Sequence, residues 1–108
     1  MARPSKGLST RAVHGGESRE KPFHSVTTPI VQTATYAFKN SQERIDYESN
    51  PEGREEYGRY GNPTKTVAER KIANLEGGED AALFSTGMSA FTSTLLAMLS
   101  SGTHVIIM

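Results

Sequence analysis

Two short stretches hold the residues best able to do chemistry. In residues 55–64, EEYGRYGNPT, Tyr57 and Arg59 stand two positions apart among glycines and a proline. A guanidinium is a planar fork of donors suited to phosphate or carboxylate. On an extended backbone, residues two apart face the same side, so Tyr57 would add its hydroxyl to that fork. In residues 81–99, AALFSTGMSAFTSTLLAML, a short apolar run meets Ser85, Thr86 and Gly87, and then Phe91, Leu95, Leu96, Met98 and Leu99 recur at helical spacing. A turn of small residues opening a helix leaves the first N–H groups unpartnered, beside the positive end of the helix dipole. Gly87 has no Cβ and lets a bound group come close, while Ser85, Thr86 and Ser89 can add hydroxyls. Phosphate is the guest such a turn suits best. Each stretch also has a plainer reading: a structural loop with a surface arginine, and a strand-to-helix turn that binds nothing. Neither the Gly-Lys-Ser/Thr of a P-loop nor a GxGxxG fingerprint is present, which removes nucleotide binding through those motifs.

Composition narrows the classes further. Lys plus Arg and Asp plus Glu number 12 each, so no basic excess points to nucleic acid. The chain has no cysteine, hence no disulfide framework and no thiolate chemistry, which fits a reducing compartment. Its apolar runs are far too short to span a membrane, and its N-terminus lacks the apolar core of a secretory signal. The cytoplasm is the expected location, with a plastid as the alternative if a transit peptide has been removed. His14, His24 and His104 have no partners at metal-ligand spacing, so no metal site is expected, and His14 before its glycines reads as a surface or capping residue.

The elements that must position these residues are unevenly spread. Residues 1–62 are polar and rich in Gly, Pro and charge, whereas residues 67–108 hold nearly all the periodic apolar content. An apolar half of about forty residues cannot easily bury its own core. The run HVIIM at 104–108 reads as a buried parallel strand. Together these features predict the N-terminal part of a larger protein. A short helix over 10–14 closes on Gly15 and Gly16, and a charged loop follows to His24. Residues 25–38, SVTTPIVQTATYAF, have strand composition broken by Pro29 and no local hairpin partner, so they should lie along the rest of the protein or another subunit. A helical patch starts at Asn40 or Ser41 without a capping box, and residues 50–53 make a turn. Asn62 as N-cap and Pro63 at the first helical position open the next helix, with Thr66 and Glu69 as an alternative capping box. Ala68, Ile72 and Leu75 form its apolar face, Arg70 and Lys71 its solvated one, and Gly77 and Gly78 stop it. A strand over 81–84, a helix from Met88 and a strand from Thr103 complete an α/β order with a right-handed crossover. The boundary falls at 62/63, between an N-terminal arm with its loop and the beginning of an α/β domain.

Taken jointly, EYGRYGNPT at 56–64, LEGGE at 75–79 and FSTGMSA at 84–90 resemble the pyridoxal-phosphate enzymes of cysteine and methionine metabolism. These are the cystathionine γ-synthases and lyases, homoserine sulfhydrylases and methionine γ-lyases. Val13-His14-Gly15-Gly16 and the segment TPIVQT at 28–33 match the usual start of such proteins. The resemblance covers nearly the whole chain from about residue 10 and implies the start of a fold-type-I, aspartate-aminotransferase-like large domain. It also implies roles. Tyr57 and Arg59 look like the pair that reaches across a subunit interface to a neighbour's cofactor phosphate. Gly87 and Met88, with Ser89 nearby, look like the turn that holds the phosphate in its own subunit. Residues 25–38 look like an arm wrapping a partner in a dimer that builds a tetramer. Glu56 resembles the acidic residue that meets a substrate amino group. With Tyr60 it tilts the expectation toward γ-replacement of an O-acylated homoserine by cysteine, with a γ-lyase or sulfhydrylase as the alternative. The family also needs a lysine that bonds the cofactor covalently, in a Ser-x-Thr-Lys setting, plus a ring-stacking tyrosine and an aspartate. Lys65 belongs to a helix start and is not that lysine, so no catalytic residue is assigned and the 108 residues alone are expected to be inert. The alternative outside enzymes is a dimerisation or regulatory segment.

Overall fold

Helix starts in this chain are written in side chains that take up orphan N–H groups. The computed structural model describes residues 7–51 and 54–107 and contains four helices, α1 Leu8–His14, α2 Ser41–Ser49, α3 Pro63–Glu76 and α4 Gly87–Met98. Asn62 caps α3 by accepting from the N–H groups of Thr64 and Lys65 at 2.9 and 3.2 Å, with Pro63 next to it as anticipated. The Thr66–Glu69 box is unused: the Thr66 hydroxyl donates to the Asn62 carbonyl, and Glu69 turns to the Leu83 N–H. At α2 the helix starts from the first of the two candidate residues, and no capping box forms among the described residues. The cap is Asn40, which accepts from the Glu43 N–H at 2.9 Å, while the Glu43 carboxylate accepts from the Lys39 N–H. The carboxylate reaches the residue before the N-cap, so the pair is a relative of the capping box and not the box itself. Of the turn expected at 50–53, Glu52 and Gly53 lie outside the described residues.

The α/β expectation is not met within the described residues. Residues 81–84 and 104–107 form no strand, and the expected crossover has no strands to join; Met108 lies outside the described residues. A strand exists by exchanging N–H and C=O groups with a neighbour, and none lies beside these runs. The N–H groups of Ala81 and Leu83 are instead taken by the carboxylates of Asp80 and Glu69. The arm at 25–38 is extended, and it does find a partner in its own chain. Thr35 bridges Tyr57 in antiparallel fashion, the Tyr36 N–H donates to the Glu56 carbonyl at 3.1 Å, and the Gly58 N–H donates to the Ala34 carbonyl at 2.7 Å. The loop before it contains a short turn, Pro22–His24, that holds Phe23 and His24 at positive φ.

Among the described residues, only α1 and α3 pack against each other as helices. The contact is mostly polar. Arg11 reaches the Asn74 and Leu75 carbonyls at the C-terminal end of α3, where a cation meets the negative end of the dipole. Lys71, expected on a solvated face, is half-buried and bonds the Val13 carbonyl and the Glu17 carboxylate at 3.1 and 2.8 Å. Gly16 holds φ +73 against α3, where an added Cβ would meet the Lys71 nitrogen at 2.4 Å. Gly77, at φ +74, ends α3 in the left-handed conformation. Of the expected apolar face, Ile72 is exposed and Ala68 and Leu75 are half-buried; Ala73 is the buried hydrophobic residue among those described. The radius of gyration, 17.9 Å, exceeds the roughly 13 Å of a compact domain of this length. Met88, Leu96 and Met98 of α4 are more than two-thirds exposed, and α4 packs on no other helix among the described residues.

Two outcomes follow. Asn62 both caps α3 and donates to the Val31 carbonyl at 2.9 Å. Asn62→Ala should lower stability by about 1–2 kcal/mol in urea unfolding followed by circular dichroism, whereas Asn62→Asp keeps the cap and loses only the arm. Hydrogen bonds from Lys71, foremost, and Lys21 hold the Glu17 carboxyl below its ordinary value of 4.5. A depressed carboxylate stabilises the fold above the unfolded pKa and ceases to as pH falls through the folded one. The hydrogen-exchange protection factors of residues 13–17, corrected for the intrinsic pH dependence of exchange, should therefore fall as the pH drops below about 4.5, and Glu17→Gln should abolish that dependence.

Candidate functional site

The loop after α2 carries Glu56, Tyr57 and Arg59, and the arm fixes its entry through the bridge at Thr35. The loop then closes on the Tyr57 carbonyl, which accepts from the N–H groups of Tyr60 and Gly61 at 2.9 and 3.2 Å. This tight turn brings Tyr57, Arg59 and Tyr60 together. The Arg59 guanidinium carbon lies 5.4 Å from the Tyr57 ring centroid and 5.3 Å from that of Tyr60. The two rings stand edge to face at 5.9 Å. An arginine against aromatic faces keeps its charge and its donors while shedding part of its water. Arg59 makes no ion pair among the described residues, and its one side-chain hydrogen bond there is a long one, 3.4 Å, to the Tyr60 hydroxyl. Tyr57 and Arg59 are thus neighbours through a tight turn and a ring contact, not through an extended run that would set the Tyr57 hydroxyl beside the fork.

An open cavity of about 640 Å³ lies over this group, lined by Tyr36, Arg44, Glu56, Tyr57, Arg59 and Tyr60 with Thr35 and Phe38. The Tyr36 hydroxyl is buried and has no hydrogen-bond partner among the described residues. Glu56 is ion-paired with Arg44. Behind it the Phe38 ring is flanked by Arg54 at 4.1 Å and Arg44 at 5.3 Å, with the Tyr47 ring 5.6 Å away. Arg54 pairs with Glu43 at 2.8 Å and donates to the Ala37 carbonyl. The Lys39 N–H, first, and Arg54 hold Glu43 ionised below the usual range; Glu48 and then Glu56 raise the pKa of Arg44. The sequence reading missed Arg44, Arg54, Phe38 and Tyr36. The i,i+4 spacing of Arg44 and Glu48 was visible, but the link from Arg44 to Glu56 crosses an irregular turn that no periodicity reports.

The second candidate group sits at the start of α4. Thr86, extended at φ −145, accepts from the Ser89 N–H at 3.0 Å, and its hydroxyl also meets the Ser89 hydroxyl at 2.9 Å. Ser89 therefore has its N–H spent on the cap. The N–H groups of Gly87 and Met88 have no partner among the described residues. A Cβ built at Gly87 would meet nothing within 4 Å, so the turn has open space on that side. That is a fit for an anionic oxygen at a helix N-terminus. No hydrogen bond, ion pair or ring contact joins residues 87–89 to Tyr57 or Arg59, and the cavity over Arg59 is not lined by them. The two candidate groups make no direct contact among the described residues.

Among the described residues no helix is long and apolar enough to cross a membrane. The family model for the Cys/Met metabolism PLP-dependent enzymes matches residues 9–108. The chain is 43% identical to the chloroplastic cystathionine gamma-synthase 1 of Nicotiana tabacum over 88% of its own length and 18% of that protein's. It is 39% identical to an L-methionine gamma-lyase of Porphyromonas gingivalis, over 93% of its own length and 25% of the other's. The crystal structure of metB from Corynebacterium glutamicum superposes with a TM-score of 0.75 at 32% identity, covering 91% of this chain and 24% of that one. That match supports the PLP-transferase fold; the chain spans about a quarter or less of these relatives. The chain belongs to the family of pyridoxal-phosphate-dependent enzymes of cysteine and methionine metabolism.

Proposed function

We propose that this chain contributes two half-sites for the cofactor phosphate, completed only between subunits of an oligomeric transsulfuration enzyme. The observation that carries this reading is Arg59: a guanidinium flanked by Tyr57 and Tyr60, without a carboxylate partner among the described residues, facing an open cavity. Its natural complement is a dianion. The free N–H groups of Gly87 and Met88 form a second set of donors outside that cavity, which suits a site whose two sides come from different copies. Each set alone is weak; a phosphate held by both gains charge-assisted bonds from a fork, a phenol and a helix N-terminus. The extended arm at 25–38 is then both a prop for the loop and a surface for the partner, and a dimer pairing into a tetramer is the assembly that fits.

Pyridoxal phosphate, when bound, supplies an electron sink for carbon-acid chemistry at an amino-acid substrate. The residues of this chain grip and orient. Arg59 and Tyr57 hold one side of the phosphate, Gly87 and Met88 the other, and Ser89 supports that turn through Thr86. Glu56, at the edge of the same cavity, offers a carboxylate to the substrate ammonium. The reaction proposed is γ-replacement, an O-acylated homoserine and cysteine giving cystathionine, in line with the tobacco relative. The methionine gamma-lyase relative favours γ-elimination as the second reading, and product analysis with cysteine present separates the two. No Ser-x-Thr-Lys segment occurs in the 108 residues, so by themselves they grip phosphate without turnover.

In the holoenzyme whose chain includes these residues, Arg59→Ala should weaken cofactor retention by about 10- to 100-fold, measured by dialysis and the cofactor's absorbance. Arg59→Lys should recover little of it, because a point charge lacks the fork. Mixing Arg59→Ala subunits with Gly87→Pro subunits, the latter lacking one N–H donor, tests the shared site. Random two-fold pairing should restore about a quarter of the sites. No recovery in the mixed oligomer would place both halves in one subunit and end this reading.

A further inference from the structure

Glu56 is held in an unusual way for a carboxylate on a loop. Its backbone carbonyl accepts from the Tyr36 N–H at 3.1 Å, which fixes the main chain. Its Oε1 accepts from Arg44 Nη1, while Oε2 has no hydrogen-bond partner among the described residues. Arg44 is itself restrained on two further sides. Its Nε donates to Glu48 Oε1 at 3.2 Å, one helical turn along α2, and its guanidinium carbon lies 5.3 Å from the Phe38 ring centroid. Arg54, on the same ring at 4.1 Å, ties α2 to the loop through Glu43. Arg44 and Glu56 line the cavity that also holds Tyr57 and Arg59.

We infer that Arg44 is a positioning residue: it anchors one oxygen of Glu56 so that the other is presented to the ammonium group of an amino-acid substrate in this cavity. This rests on the reading of Glu56 given above and extends it to a residue on another element. A glutamate with one oxygen anchored has lost most of its rotamer freedom before substrate arrives, so less is lost on binding. An arginine suits the task because it never deprotonates and its fork serves two carboxylates at once. The charge balance also works. Glu48, Arg44 and Glu56 together carry one net negative charge, so once a phosphate occupies Arg59 on the same cavity an incoming ammonium meets an attractive field. Without Glu48 the remaining pair would be neutral and the attraction weaker. Glu48 thus does more than decorate an exposed helix face.

The test is steady-state kinetics on the holoenzyme whose chain includes these residues, with an O-acyl-homoserine as substrate. Arg44→Leu should raise KM about three- to fivefold with less than a twofold change in kcat, a modest factor because the pair is partly exposed. Arg44→Lys should recover part of the effect, and Glu48→Gln should raise KM by a smaller factor in the same direction. Glu56→Gln should raise KM at least as much as Arg44→Leu, and adding Arg44→Leu to Glu56→Gln should change nothing more. If Glu56→Gln raises KM while Arg44→Leu and Glu48→Gln do not, the positioning role is wrong and Glu56 keeps its substrate contact. If Glu56→Gln leaves KM unchanged, the substrate reading of Glu56 falls and this inference with it. If Arg44→Leu adds its full effect in the Glu56→Gln background, or lowers kcat and cofactor content together, Arg44 is only a structural brace and the inference is overturned. Should Arg44→Leu fail to fold, Arg44→Lys and Glu48→Gln decide on KM alone.

Discussion

Everything near the cavity depends on how Val31 is held. Its N–H donates to the Thr64 hydroxyl at 2.9 Å, and its carbonyl accepts from the Asn62 amide at 2.9 Å. The Thr64 hydroxyl also reaches the Pro29 carbonyl at 3.4 Å. An extended segment with no sheet to join must place its backbone groups somewhere, and here the first turn of α3 receives them. Asn62 is the hinge of the scheme, because one side chain satisfies the orphan N–H groups of a helix and a carbonyl of the arm. With residues 29–31 fixed there, residues 34–36 run alongside 56–58, and the bridge at Tyr57 sets the direction of the Arg59 turn. The position of the guanidinium is inherited through a chain of main-chain hydrogen bonds, not from a hydrophobic core.

The second organising force is charge on aromatic surface. Phe38 receives Arg44 and Arg54, and Arg59 lies against Tyr57 and Tyr60. The two clusters differ in their anions. The Phe38 arginines are neutralised by Glu43, Glu48 and Glu56, and so build structure. Arg59 has no such partner among the described residues, and its charge remains available. That contrast, more than the presence of an arginine in a loop, distinguishes a brace from a binding group in this chain.

Local chemistry made much of this legible in the sequence. Asn62-Pro63 as a helix start, Gly77 as its end and the Thr86-Gly87 entry to α4 each depend on one or two neighbouring residues, so reading along the chain found them. The closeness of Tyr57 and Arg59 was also visible, although a tight turn and a ring contact bring it about, not the extended run expected. Features needing distant partners were harder. The runs at 81–84 and 104–107 have strand composition, but composition cannot create the neighbouring strand that turns a run into a strand. The arm looked partnerless because its partner is a glycine-rich loop with no strand signature of its own. Lys71 reads as solvated by helical periodicity, yet it meets Glu17 from 54 positions away. Arg44 and Glu56 escape any periodic reading for the same reason.

Three glycines show what different demands one residue type can answer. Gly16 is excluded from substitution twice, by its positive φ and by the α3 backbone 2.4 Å from any added Cβ. Gly77 is constrained by φ alone, with open space around it, so an asparagine could stand there. Gly87 has neither restriction: its φ is not positive and an added methyl would touch nothing. In a library of variants scored only for folding of this chain, position 16 would accept glycine alone, position 77 a short menu, and position 87 almost anything. Scored for function, position 87 would narrow, because any requirement for glycine there is imposed by something that docks from outside.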